Sequence, residues 1–150
     1  MSLRHILVVI ACGIFVPAQA AEPTAPADAR LLVEMPATAQ AIMRQDMLNH
    51  LATLNAIVAA LGKGDLNSAA SAAEQQLGRA SMGRHRGTGM MGMGPGRFMS
   101  PEMRDIGWRM HDAADAFAAV ARKGDAQKAF AALEPITSSC VACHAVYRTR

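Results

Sequence analysis

From Pro36 onward, apolar residues recur at steps of three and four, the period of helices that each bury one face. Pro36 sits where a first helical turn accepts proline. Met47, Leu51, Leu54, Val58 and Leu61 then form a stripe that predicts the core side of a first helix, which Gly62-Lys63-Gly64 stops. Asp65 is an N-cap for a second, Ala-rich helix to about Leu77, with Leu66, Ala69, Ala70, Ala73 and Leu77 on one side. Residues 78–99 mix glycines, Pro95 and methionines, a composition that predicts a long loop.

Ser100-Pro101-Glu102-Met103 pairs a capping serine with proline at the first helical position, so a third helix starts there. Its stripe is Met103, Ile106, Met110, Ala114 and Phe117, and it ends at Lys123-Gly124. Asp125 caps a fourth helix with Ala129, Leu133, Ile136, Cys140, Cys143 and Tyr147 on one line, which places both cysteines on the core stripe. Pro135 removes a backbone donor inside this helix and predicts a kink or a division. The expected architecture is therefore all-α, an antiparallel four-helix bundle with a long Met/Gly-rich loop between helices 2 and 3.

Composition agrees: the chain is 51% hydrophobic but only 4% aromatic, a mixture that suits close-packed helices more than strands. Its 150 residues leave room for one domain and one core. Arg4 and His5, the apolar run Ile6 to Val16, and Ala18-Gln19-Ala20 read as a removable secretory signal over residues 1–20. Residues 21–35, with Pro23 and Pro26, read as a flexible leader, and 36–150 as the bundle domain. The apolar run is too short to span a bilayer, so no stable membrane insertion is expected. A lipid anchor at Cys12 is the second reading of this segment.

Loss of the signal removes Arg4 and no acid, and the formal charge falls from +3 to +2, too mild a balance to imply nucleic acid. The cluster Arg79, Arg84, His85 and Arg86 has no aromatics between its members on which bases could stack. Cys12 leaves with the signal, so the exported chain keeps Cys140 and Cys143, a pair that an oxidising compartment consumes in a disulfide, a metal site or a cofactor.

Cys140-Val141-Ala142-Cys143-His144 is the attachment signature of c-type haem. Two cysteines one helical turn apart can hold the porphyrin edge, and the adjacent His144 can turn its imidazole onto the iron. A redox dithiol normally opens a helix in a βαβ context, and a structural zinc site needs further ligands, whereas the exported chain has no other cysteine and adjacent Cys143 and His144 make poor joint ligands. One covalent haem c is the reading adopted.

The ending from Cys140 through Tyr147-Arg148, together with Arg44-Gln45 in the first helix, resembles the cytochrome c prime family of periplasmic four-helix-bundle cytochromes. That resemblance implies thioethers at Cys140 and Cys143, His144 as axial ligand, Arg44 and Arg148 near the haem, and a homodimer; Tyr147, one turn past His144, is placed near the macrocycle by the motif, and electron transfer calls for redox partner proteins. It also implies a distal position four residues after the first-helix Arg, which lands on Leu48, where leucine leaves the iron open. The stripe instead points Met47 inward, and a thioether there closes the iron as a six-coordinate carrier. Met47 is taken as the distal ligand, ahead of Leu48 and an open site, with His50 behind both.

His50 and His111 otherwise read as ordinary helical histidines, Trp108 and Phe117 as core. Met82, Met90, Met91, Met93 and Met99 either cover apolar surface or bind Cu(I). No residue set suggests hydrolysis or group transfer, so no enzyme activity is expected. Function is thus read as periplasmic electron transfer through Fe(II)/Fe(III). The alternatives are a five-coordinate binder of nitric oxide or carbon monoxide and a Met-rich copper-binding protein.

Overall fold

The computed structural model describes residues 27–84 and 94–150. The expected signal over 1–20, His85, Arg86 and Met90, Met91 and Met93 of the loop lie outside them. Four helices form the all-α bundle: α1 (Ala37–Gly62), α2 (Leu66–Ala72, continued by a π turn over Ala73–Leu77), α3 (Pro101–Ala121) and α4 (Ala126–Val146). Two short strands, β1 (Leu31–Leu32) and β2 (Tyr147–Arg148), pair in parallel. Short 3-10 turns at Arg79–Ser81 and Pro95–Arg97 occupy described parts of the long loop.

The caps formed as the sequence predicts. Asp65 accepts from the Ser68 amide, Ser100 from Met103 and Asp125 from Lys128, so each helix start has one of its orphan donors satisfied. Gly124 takes φ +84° at the α3–α4 turn, a conformation that costs glycine no steric penalty.

All four helices share one core. Ile57 and Leu61 of α1, the alanines 69, 70 and 73 with Leu77 of α2, Phe117 and Ala118 of α3, and Ala129 and Ile136 of α4 pack together. α3 lies along α4 and α1 along α2. Beyond Leu77 the second helix is replaced by loop, and a smaller cluster takes over: Val33, Met43 and Met103, with Met35, Met47, Met99, Cys143 and Tyr147 against them.

Four expectations are corrected. The inward row of α1 is Ala39, Ile42, Met43, Thr53, Ile57 and Leu61, whereas Leu51 and Val58 are 64% and 47% exposed. α1 carries two apolar rows, and hydropathy alone cannot choose the one that meets α2. On α4 the core stripe holds at Ala129 and Ile136, but Cys140 is exposed and Cys143 only half-buried. Pro135 neither divides nor ends α4, because it and Ala131 lie on the exposed side, where solvent can take the carbonyl its ring leaves unpaired. Finally, Leu31–Leu32 of the expected flexible leader pairs with Tyr147–Arg148, and the Val33 amide donates to the Arg148 carbonyl at 2.8 Å.

Candidate haem and metal site

Where α2 stops, the bundle opens into a cavity of about 1050 Å³. Met43, Arg44, Met47 and His50 of α1 line one wall, Met103, Met110 and His111 of α3 another, and Cys143, His144 and Tyr147 of the α4 end a third. The expected residues Cys143, His144, Met47, Arg44, Tyr147 and Arg148 thus share one space. Cys140 is not among the lining residues, and Leu48 is 56% exposed on the outer face of α1. A helix that points Met47 inward carries its next residue about 100° around the axis, which is why the position four after Arg44 faces solvent here.

The segment before α1 and the first turn of α1 hold the motif from behind. Arg30 donates to the His144 carbonyl at 3.4 Å, Gln40 donates to the Thr149 carbonyl, and Asp28 lies between Arg30 and Arg148. Hydrogen bonds from Arg30 lower the Asp28 carboxyl pKa to about 2. Tyr147 sets its hydroxyl 3.5 Å from Ser100 at the α3 start. The α4 end is thereby tied to β1, α1 and α3 at once.

Cys140 and Cys143 are free thiols. Burial raises both thiol pKa values, although Cys140 is exposed as a residue, and for Cys143 the neighbouring Cys140 adds to it. A raised thiol is the reverse of what an attacking dithiol needs. Among the described residues no three of His, Cys, Asp or Glu converge as a metal site. The donor set that remains, two thiols one turn apart beside an imidazole and a methionine-lined cavity, fits a covalent haem.

Residues 100–148 match the family model described as cytochrome C'. Over that segment the chain is similar to the cytochrome c prime family. The matched segment covers α3, α4 and β2 with the Cys140-x-x-Cys143-His144 motif, while α1 and α2 lie outside it. No curated protein and no solved structure matches the chain. A family of this kind implies a haem c, for which α4 offers Cys140, Cys143 and His144 and the cavity offers space.

Two features escaped the sequence. Arg30, Arg44, Arg84, Arg97, Arg104, Arg148 and Arg150 all line the cavity, with Asp46 the one carboxylate among the described lining residues. These arginines come from five separate stretches of chain, so no local charge run announces them. The second feature is the meeting of His50 and His111, whose ring centroids are 6.1 Å apart with planes at 86°. Burial lowers the His50 pKa, His111 and Arg84 lower it further, and Asp46 opposes them. His111 places Nδ1 2.5 Å from the Leu77 carbonyl. Trp108, expected as core, is 48% exposed under the Arg79 guanidinium, 5.8 Å from its ring, whereas Phe117 is fully buried.

Proposed function

We propose that the chain is an exported electron carrier with one covalent haem c, attached at Cys140 and Cys143, ligated by His144, and closed on the distal side by Met47. One observation carries this reading: Met47 from α1, Cys143 from α4 and Tyr147 from β2 pack against a single cluster of Val33, Met43 and Met103 beside the cavity. When bound, the haem supplies the Fe(II)/Fe(III) couple, and a thioether on its distal side raises the potential. The chain's own residues anchor it, exclude water with Met43 and Met103, and surround its carboxylates with arginine.

The arginine-lined mouth favours redox partners with acidic surfaces, since potentials of opposite sign steer encounter. Leu48, Leu51 and Val58 give α1 an outward apolar row that supports a homodimer. A periplasmic location follows from the signal reading and accords with the family. No reaction beyond electron exchange is assigned.

The test is a haem-stained denaturing gel with spectra of wild type and Met47→Ala. A band that acid-acetone cannot extract, and a near-infrared sulfur-to-iron band that vanishes on substitution, are the expected results. A colourless protein ends the haem reading. A high-spin wild type that binds carbon monoxide without displacing a ligand shifts the function to gas binding.

A further inference from the structure

The haem reading leaves the His50–His111 pair without a task, and its geometry points to one. We propose that His50 and His111 form a second metal site, for monovalent copper, on the α1–α3 wall of the cavity. Their separation of 6.1 Å leaves room for one ion between the rings, given a metal–nitrogen bond of about 2.0 Å on each side and the half-width of each imidazole. His111 donates Nδ1–H to the Leu77 carbonyl, which turns Nε2 to the role of metal ligand. A ligating histidine is characteristically fixed this way, with its second nitrogen on a backbone carbonyl.

Three observations select the ion. No trio of His, Cys, Asp or Glu converges among the described residues, so zinc and the hard cations lack their usual donors. Met82, whose sulfur lies 3.9 Å from an Arg79 guanidinium nitrogen, and the buried Met110 line the same cavity, and thioethers with imidazoles suit Cu(I). The arginines around the cavity oppose every added cation, and a monovalent ion meets about half the repulsion of a divalent one. Asp46 is the carboxylate nearest to hand in the lining, and the site does not require it.

The site is tested on the haem-loaded full chain, by anaerobic competition for Cu(I) against the chelator bicinchoninate. Wild type should withdraw one equivalent, and His50→Ala and His111→Ala should each weaken it at least about tenfold, the lower limit for loss of even an orienting partner. X-ray absorption at the copper edge of wild type, which needs no variant to fold, should show nitrogen together with sulfur neighbours. Variants that hold copper as tightly as wild type, no uptake against the chelator, or sulfur-only coordination would overturn the proposal. So would a shift of the haem bands in His50→Ala, because that result assigns His50 to the iron. A protein that carries no haem would end the cytochrome reading, yet copper uptake by the histidine pair would still be read separately.

Discussion

The two ends of the bundle are built from the same helices and packed on different principles. At one end Ala69, Ala70, Ala73, Ala114, Ala118, Ala121 and Ala129 are fully buried around Phe117, and small side chains let four helices approach closely. At the other end Val33, Met43 and Met103 form the buried cluster, and a cavity of about 1050 Å³ stands where a fourth wall is missing. The difference traces to length. α1 has 26 residues and spans about 39 Å, but the 7 residues of α2 and the 5 of its π turn reach only about 18 Å. A short helix closes half a bundle and leaves the rest as a cavity.

The junction between these ends is braced. Arg79 donates to both carboxylate oxygens of Asp112 at 2.6 and 2.7 Å, its amide donates to Asp115 at 3.0 Å, and Arg122 pairs with Glu74. A Cβ on Gly78 would lie 2.0 Å from the Asp115 carboxylate and 2.6 Å from the Glu74 carbonyl, so only glycine lets α2 end against α3 there.

Substitutions that exchange the character of the two ends separate them most clearly. Phe117→Ala should cost about 3–5 kcal/mol in denaturant unfolding, because the alanine-packed end cannot collapse into the void, while the haem spectrum keeps its ligand bands. Ala114→Leu in the same end should cost about 1–3 kcal/mol by overpacking. Asp125→Ala should cost about 1 kcal/mol through loss of the cap on Lys128, measurable as a lower urea midpoint at unchanged slope. Met47→Ala reverses the pattern: half-buried at the cavity wall, it should change stability less than Phe117→Ala and alter the iron spectrum more.

The smallest effect concerns pH and the strand behind the motif. The Asp28 pKa is held at about 2, below its ordinary 3.8, so the ion pair's contribution is complete above 3.8 and is lost as pH falls toward 2. Protection of the Val33 amide from exchange should decline across that window, and Asp28→Asn should show the lower protection already at neutral pH. Both partners are exposed, so the effect is modest and screened by salt.

Local chemistry determined much of this protein from the sequence alone. Asp65, Ser100 and Asp125 announce their helices because a cap is satisfied within three residues, and Cys140-Val-Ala-Cys143-His144 is legible as a motif because its two thiols are spaced by a single helical turn. Tertiary packing decided the rest. Leu48, Leu51 and Val58 face outward and Met43 and Thr53 inward because α1 had two apolar rows to offer and only contact with α2 and α3 could choose between them. Leu31–Leu32 found its partner 116 residues away at Tyr147–Arg148, and His50 met His111 across two helices, pairings that no periodicity within either segment encodes.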